Sequence, residues 1–368
     1  MEFALFYEIP VPRPWTRTSE LEAYQNTLTQ AVFAEEMGWH AVWSVEHHFL
    51  EEFSHCSNPE VLYGAIAART ERIRIGYGVR LAPRPYNHPV RSAESAAVLD
   101  LISNGRVEFG TGRSSTRIEM EGFGIHPDQT RSMWEEGVRD IVGCWTNDEY
   151  EFSGEWWSMP KRRVLPKPIQ DPHPPVWAAT GSPEGHKLMG RHGIGLLSFS
   201  VGTSPEEFAE RIALYREGLS ECTDPIGAVV NPRAAVFTTV NCAPTREESY
   251  EVSRESFEWY PRNSNHLIAS VSTWLDEMKQ QEHGTYEYLK GAVAADAKMD
   301  RLSFERLLAR GAVITGSPDD VVEQVRRFEA TGADVLLCLV NPYNIPHDKV
   351  MQTIELMGKE VIPEFTST

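Results

Sequence analysis

The feature of this sequence that most constrains its fold is a repeated alternation of short apolar runs with longer amphipathic segments. The runs of strand length are Phe3–Tyr7, Ala41–Val45, Ile73–Leu81, Arg106–Gly110, Val176–Thr180, Gly195–Ser200, Ala234–Asn241 and Val335–Val340. Helical patterns between them include Glu20–Met37, Ser92–Leu101, Arg131–Trp145 and Pro318–Thr331. About eight such units predict a parallel (β/α)₈ barrel (a TIM barrel), with a doubly wound sheet as the less favoured alternative.

The helix boundaries agree with this alternation. Ser204-Pro205-Glu206-Glu207 combines a capping serine, a proline in the first turn and a glutamate that can reach back to the cap, and residues 245–248 repeat the capping box. At residues 317–320 a serine and a proline precede an acidic first turn, which suits the helix dipole. These signals predict where helices begin and carry no information about chemistry.

Two stretches depart from the alternation. Residues 146–169 are rich in Trp, Pro and basic residues, and predict a short insertion that forms a hairpin or an irregular excursion. Residues 259–316 are longer and mixed in pattern, and insertions of that size on a barrel are often active-site covers, so we take them as a candidate lid. Aromatic residues and a histidine there could meet a substrate, although surface packing explains them equally well: Tyr260, His266, Trp274, Tyr286 and Tyr288. We see no linker, and predict that residues 1–368 form a single domain.

Composition narrows the possible partners. The formal net charge of -18 argues against a nucleic-acid partner, which needs a basic surface, and gives no attraction to anionic lipid. The five cysteines are scattered, odd in number and never spaced as CxxC, which is typical of a reducing compartment. The N-terminus has no basic region followed by a long apolar run, so we expect a cytoplasmic protein.

Function in a barrel lies at the carboxyl ends of the strands, so the polar residues that follow each apolar run are the candidates. Four such clusters are Glu46–Phe49, Leu81–Pro89, Gly110–Ser115 and Gly181–His186. Because parallel strands present their carboxyl ends on the same side, we expect these clusters to converge on one mouth.

The paired histidines His47 and His48 have three possible roles. Metal binding is disfavoured, because neighbouring residues on a strand point to opposite faces and no later HxxxH or carboxylate partner stands out, and we expect no metal. One histidine could simply pack while the other is exposed. Either could donate or accept a proton near neutral pH, which suits an imidazole.

Two of the clusters suggest an anion site. Glycines on both sides of Thr111 let the backbone approach a ligand, and Arg113 could clamp a phosphate with its fork of donors. Gly181 and Ser182 precede a predicted helix, whose first amide groups and dipole favour an anion. Any strand–helix loop can carry such residues, but together they predict a mononucleotide phosphate pocket.

These residues belong to an ordered set of motifs that resembles the luciferase-like flavin monooxygenases, specifically the α subunit of bacterial luciferase. The set comprises Ala41–Phe49 with Asn58-Pro59, His88–Arg91, Leu99–Arg106, Phe109–Arg113, Gly316–Asp320 and Ala330–Asp334. The match runs nearly from end to end. It implies the barrel fold and a monooxygenase that uses reduced FMN and dioxygen, through a flavin C4a-hydroperoxide, to oxygenate a small apolar organic substrate. It also implies a separate NAD(P)H-dependent flavin reductase and a homodimer.

The resemblance assigns roles to individual residues. It places the essential histidine of the family at His47, with His48 beside it, and the phosphate-clamping arginine at Arg113. The phosphate-binding segment falls on Gly181, Ser182 and Gly185, and a non-proline cis peptide beneath the flavin ring falls near Gly78-Val79. Gly112 replaces the luciferase cysteine, and Gly181 and Gly185 replace an acidic residue and a threonine of the phosphate loop. Backbone amides, Arg113 and His186 would then carry more of the phosphate contact.

Two alternatives remain open. The same fold family contains deazaflavin-dependent oxidoreductases, which transfer hydride without oxygen, although Glu46–Phe49 resembles the monooxygenases more closely. A non-catalytic flavin-binding subunit would keep the barrel and lose active-site groups, which the retention of His47 and Arg113 disfavours. The sequence does not distinguish Baeyer–Villiger oxidation from hydroxylation, identify the substrate or predict light emission.

Overall fold

The computed structural model describes residues 1–278, Gly284, Tyr286 and 302–366. In these residues eight parallel strands close into a barrel, as predicted. The barrel strands are β1 (Glu2–Tyr7), β2 (Ala41–Ser44), β3 (Arg74–Tyr77), β5 (Val107–Gly112), β8 (Val176–Thr180), β9 (Gly195–Ser198), β10 (Ala234–Cys242) and β12 (Val335–Leu339). Each pairs with the next in this order, and β12 pairs with β1 to close the ring. The molecule is a single TIM-barrel domain.

Helices surround the barrel. They are α1 (Ser19–Glu36), α2 (Pro59–Ala67), α3 (Pro89–Ile102), α4 (Arg117–Gly122), α5 (Thr130–Thr146), α6 (Pro183–Arg191), α7 (Pro205–Ser220), α8 (Arg246–Glu277), α9 (Phe304–Arg310), α10 (Pro318–Glu329) and α11 (His347–Leu356). The predicted capping boxes form at Ser204 and Ser317. At Thr245 the hydroxyl caps the Glu248 amide, but the Glu248 carboxylate binds Lys349 instead of reaching back. The expected box there is therefore only half formed.

Aromatic rings and glycines fill the barrel interior. Trp43 of β2 and Trp177 of β8 pack edge to face with ring centroids 5.7 Å apart. A Cβ atom on Gly76 would lie 2.0 Å from the Trp43 ring, so only glycine leaves room for that indole. The barrel is thus a packed core, and a ligand has room only beyond the strand ends.

The predicted strand Ile73–Leu81 is divided in two. A cis peptide between Gly78 and Val79 separates β3 from β4 (Arg80–Leu81), which pairs with the end of β5. The cis bond is at the position that the family resemblance implies. A further short strand, β11 (Ile314–Gly316), pairs with the end of β10.

The two irregular stretches differ in outcome. Within 146–169 the chain forms an antiparallel hairpin of β6 (Tyr150–Ser153) and β7 (Ser158–Arg162). The stretch predicted as a lid, residues 259–316, begins in the middle of α8 and ends with β11 of the sheet, and its role as a lid stays a prediction. Residues 279–283, 285 and 287–301, including the candidate Tyr288, lie outside the described residues. No helix in the described part of the chain is both long enough and apolar enough to cross a membrane.

Candidate functional site

A cavity of about 430 Å³ lies at the carboxyl ends of the barrel strands. Its lining residues follow successive strands: Glu8 after β1, His47 after β2, Gly78 and Val79 after β3, Arg113 to Thr116 after β5, Gly181 and Ser182 after β8, and Phe199 to Val201 after β9. Helix α8 contributes Tyr260, Ser264 and Ile268. This is the side of the barrel on which the sequence placed the functional residues.

The cavity brings together all but one of the predicted site residues. His47, Gly78, Val79, Arg113, Gly181, Ser182 and Gly185 all line it. In the described structure His48 is not part of the lining, although it is adjacent in sequence to His47. Of the two neighbouring histidines, His47 therefore faces the cavity and His48 lies outside its lining.

The ring of His47 lies between two carboxyl groups. Its Nδ1 is 2.9 Å from Oε1 of Glu119, a residue of α4 that is fully buried. Its Nε2 is 3.7 Å from Oε2 of Glu8. The imidazole is itself about one fifth exposed and faces the cavity, so a ligand can reach it.

Neighbouring charged groups determine whether His47 and Glu119 are protonated. Burial alone would lower the pKa of His47, but the ion pair and hydrogen bond with Glu119, together with Glu8 and Glu46, raise it to about 9. Burial would likewise raise the pKa of Glu119, yet His47 and hydrogen bonds from Thr116 and the His48 amide hold it below its usual value. The pair is therefore imidazolium and carboxylate at neutral pH.

His48 belongs to a different set of contacts. Its Nε2 is 3.3 Å from Oε1 of Glu46, and its ring packs against Phe123 with centroids 4.9 Å apart. Glu46 also accepts hydrogen bonds from the Leu81 amide at 2.9 Å and from Asn87 at 2.7 Å. These contacts tie the ends of β2 and β4 together. They give His48 a supporting position, and the catalytic role predicted for it beside His47 stays a prediction.

Arg113 lies at a second part of the cavity. Its guanidinium donates to the Thr130 hydroxyl at 2.9 Å and lies over the ring of Tyr286, 4.3 Å from the centroid. The Tyr286 hydroxyl in turn donates to the Ser114 carbonyl at 3.0 Å. These contacts orient the planar fork of donors, which is the group that best matches a phosphate or a carboxylate.

The start of α6 lies at the same part of the cavity. Ser182 caps this helix by accepting a hydrogen bond from the Gly185 amide at 3.0 Å. A Cβ on Gly185 would lie 2.0 Å from Oγ1 of Thr180, so the glycine lets the helix begin directly beside β8. The helix dipole thus points its positive end toward the lining.

His186 does not take the phosphate-facing role that was expected of it. It is fully buried, with Nδ1 2.6 Å from the Ser182 carbonyl and Nε2 2.7 Å from the Ser198 hydroxyl. Burial is the main cause that lowers its pKa, to about 4, so the ring is neutral. Nδ1 thus bonds back to the start of its own helix and Nε2 joins α6 to β9, and in the described residues His186 is absent from the cavity lining.

Two further arginines extend the basic end of the cavity. Arg131 of α5 lines it, with Nη1 3.4 Å from a carboxylate oxygen of Glu184 in the first turn of α6. Arg211 of α7 lines it from the other side and donates to the Ser200 hydroxyl. Within the described ranges no group of three or more side chains is arranged to hold a metal ion.

Sequence reasoning missed several residues of this site. Glu8 follows β1 directly, so the strand-end rule applied to later strands would have found it. Glu119 closes the pattern Thr116-Arg117-Ile118-Glu119, which resembles a capping box. The structure shows instead that its carboxylate accepts from the Thr116 hydroxyl at 2.6 Å and turns to His47. Arg131 lies in a helix, and no local pattern distinguishes it from other surface residues. Tyr260 and Tyr286, which the sequence offered only as possible substrate contacts, both line the cavity.

The fold and this cavity together define a TIM-barrel enzyme with its site at the carboxyl ends of the strands. The family model described as luciferase-like monooxygenase matches residues 1–335, and the chain belongs to that family. Its relatives include flavin-dependent monooxygenases.

Three of the matches show which kinds of protein this chain is similar to. The oxygenase component of flavin-dependent trigonelline monooxygenase from Acinetobacter baylyi (strain ATCC 33305 / BD413 / ADP1) is 24% identical, with 100% of this chain and 96% of the relative covered. An F420-dependent glucose-6-phosphate dehydrogenase from Amycolatopsis mediterranei (strain U-32) is 27% identical, over 83% of this chain and 86% of the relative. The oxygenating constituent of 3,6-diketocamphane monooxygenase from Pseudomonas putida, solved with FMN, superposes with a TM-score of 0.75, 22% identity and coverage of 100% and 99%.

Proposed function

We propose that this chain is the oxygenase of a two-component monooxygenase, which binds reduced FMN and uses dioxygen to oxygenate a small apolar organic substrate. A separate NAD(P)H-dependent flavin reductase would supply the reduced FMN. The observation that carries the proposal is that a single cavity joins the charged His47–Glu119 pair to a basic end formed by Arg113 and the start of α6.

The basic end suits the phosphate of FMN. Arg113, Arg131 and Arg211 line the cavity together with the capped N-terminus of α6. A phosphate monoester carries up to two negative charges near neutral pH, and guanidinium groups and helix N-termini are the donors that proteins use for it. Gly78 and Val79 line the same cavity and would contact the ring system. The residues present therefore fit the cofactor that the family resemblance implies.

His47 is the proposed proton donor. Bound reduced FMN would supply the activation of dioxygen, and the chain would supply protons, orientation and protection from water. As an imidazolium that faces the cavity, His47 can give the proton on Nε2 to a reacting oxygen while Glu119 holds Nδ1. The leucines, isoleucine and phenylalanine of the lining exclude water from the same space: Leu50, Phe53, Leu267 and Ile268.

The first experiment is stopped-flow mixing of the protein and photochemically reduced FMN with oxygenated buffer. We expect oxidised FMN to appear more slowly than it does from free reduced FMN, after a distinct absorbance phase. Adding NADH or NADPH without a reductase should not reduce the FMN. Reoxidation at the rate of free FMN, with no preceding phase, would contradict the proposal.

The His47→Gln variant tests the role of the imidazole. This change removes the ionisable group and keeps a polar side chain of similar reach. We expect product formation to be lost while the dissociation constant for FMN changes little, because the phosphate end is untouched. Unchanged turnover in a substrate screen with a reductase would remove His47 from the proposed chemistry.

The alternative is a deazaflavin-dependent oxidoreductase that transfers hydride. The observation in its favour is the relative named as an F420-dependent dehydrogenase, which matches most of the chain. Titration of the protein with F420 and with FMN, followed by fluorescence, distinguishes the two. Tight binding of F420 together with weak FMN binding and no slowed flavin oxidation would favour the alternative.

A homodimer and a cytoplasmic location are further predictions from the family resemblance, and analytical ultracentrifugation tests the first.

A further inference from the structure

Glu8 is unusual among the residues that line the cavity. Its side chain is only 4% exposed, and Oε2 has no hydrogen-bond partner among the described residues. The other oxygen, Oε1, accepts a hydrogen bond from the Tyr260 hydroxyl at 2.8 Å. A buried carboxyl oxygen without a partner is costly, so its retention needs an explanation.

The ring of the catalytic candidate faces this oxygen. Oε2 of Glu8 is 3.7 Å from Nε2 of His47, which is longer than a hydrogen bond and short enough for a direct charge interaction. The other ring nitrogen is already bound to Glu119. His47 is therefore placed between one carboxyl group that is hydrogen-bonded on both oxygens and one that is not.

The two carboxyl groups differ in how tightly their charge is held. Glu119 accepts hydrogen bonds from the Ser114 and Thr116 hydroxyls, at 2.9 and 2.6 Å, and from the His48 amide at 3.0 Å. These donors fix it as a carboxylate. Glu8 has one donor, Tyr260, and burial raises its pKa, although His47 and Tyr260 oppose that effect. The charge of Glu8 is therefore held by fewer partners than that of Glu119, chiefly by Tyr260 and by His47 itself.

We propose that Glu8 is a positioning residue for His47: the negative charge of its carboxylate, with Oε2 facing Nε2, holds the imidazole in the charged form from which it gives its proton to the reaction. The Tyr260 hydroxyl stabilises that carboxylate at Oε1. The inference rests on the proposed role of His47 as proton donor.

The other charged and titratable groups around His47 come from several elements. Glu46 follows β2, Glu119 lies on α4, and both favour the charged imidazole. Tyr260 reaches Glu8 from α8, and burial raises the pKa of its phenol, so it acts as a donor without losing its proton.

The test is an NMR titration of the His47 imidazole in the flavin-free protein. In Glu8→Gln the pKa of His47 should fall by at least about half a pH unit, because a nearby carboxylate is removed while the hydrogen bond to Tyr260 can be kept. Tyr260→Phe should lower it by less, since Glu8 without its donor holds its proton more tightly. In turnover with a reductase, the alkaline limb of the pH profile should move in the same direction, with FMN affinity unchanged.

The matched control is another glutamate–histidine pair outside the cavity lining. Glu20 is exposed and lies 2.9 Å from Nδ1 of His55, so Glu20→Gln should leave the pKa of His47 in place. An unchanged His47 pKa in both Glu8→Gln and Tyr260→Phe would overturn the inference, and Tyr260→Phe alone decides it if Glu8→Gln does not fold. A shifted His47 pKa without any oxygenation would instead refute the proposed function and leave the Glu8–His47 coupling standing.

Discussion

At the scale of single residues, the site depends on how neighbours fix the charge of a few side chains. His47 and Arg113 were predictable, because they belong to motifs at strand ends. Glu119 was not predictable, because its local pattern predicts a helix cap. Only the fold brings its carboxylate within 2.9 Å of the His47 ring, 72 positions away in the chain. The contact of Tyr260 with Glu8 joins residues 252 positions apart and is hidden for the same reason.

The Arg113→Ala variant tests the phosphate end. We expect the affinity for FMN to fall by about 1.5–3 kcal/mol, the range for hydrogen bonds to charged groups, and the affinity for riboflavin to change little, because only FMN carries the phosphate. Isothermal titration with both ligands measures the difference. Arg91→Ala is the control, since Arg91 is largely exposed and pairs with Glu94 on α3. Equal losses for the two ligands would show that Arg113 does not contact the phosphate.

The raised pKa of His47 predicts a pH dependence. The imidazolium is present below pH about 9 and is lost as the pH rises through that value, so kcat should fall on the alkaline side near pH 9. Because folding raises the pKa of His47 above its ordinary value of 6.5, the stability gained from charging His47 is fully present below that value and declines as the pH rises from about 6.5 to about 9. Steady-state rates from pH 6 to about 10 check the first statement. An alkaline limb near the ordinary histidine pKa would contradict it.

At the scale of elements, the periodic segments were predictable and the interruptions were not. Every predicted barrel strand is present, but the run Ile73–Leu81 hid a break at Gly78. Pro261 removes a backbone donor and usually ends a helix, whereas α8 continues through it to Glu277, so the stretch predicted as a lid begins inside a helix. The local sequence pattern reports only helix propensity, and along α8 tertiary packing overrides that propensity.

The β6–β7 hairpin offers a prediction about an element. Asp140 of α5 accepts hydrogen bonds from the Tyr150 hydroxyl at 2.7 Å and from the Trp157 indole at 2.6 Å, and these bonds fasten the hairpin to the barrel. Burial outweighs both bonds and raises the pKa of Asp140 from 3.8 to about 7. Its contribution to stability is therefore greatest in acid and declines as the pH rises from about 4 to about 7.

The Asp140→Asn variant removes this titration and keeps an acceptor for the hairpin. The free energy of unfolding of the parent, relative to the variant, should fall with rising pH across that window, with a slope of at most about 1.4 kcal/mol per pH unit. Guanidinium unfolding at several pH values, followed by the fluorescence of the tryptophans, measures it. A difference that does not change with pH would mean that Asp140 is already ionised in acid.

At the scale of the whole molecule, the barrel positions the site because strands distant in sequence must pair to close it. The alternation of runs predicted the number and direction of the strands. It could not predict the size of the cavity, which depends on loops from six strands and on α8. The pairing of β12 with β1 and β10 joins the two ends of the chain, so the strand ends that carry Glu8 and His47 depend on it.

Leu337 lies at the centre of that closure and supplies the last prediction. It pairs with Ala4 of β1 and Phe237 of β10 and is fully buried. Leu337→Ala should lower the free energy of unfolding by about 2–5 kcal/mol, the cost of lost burial plus a cavity in a close-packed core. The control Leu101→Ala, at an exposed position of α3, should change it by no more than about 0.5 kcal/mol.

Both variants are measured by guanidinium unfolding with circular dichroism and tryptophan fluorescence in parallel. Because the barrel closes only when β12 is paired on both sides, we expect the two signals of Leu337→Ala to shift together in one transition. FMN should restore part of the lost stability, since a ligand that binds only the folded chain stabilises it by mass action. Loss of the fluorescence signal ahead of the circular dichroism signal would mean that the site end of the barrel unfolds before the remainder, and that closure by β12 does not govern the site.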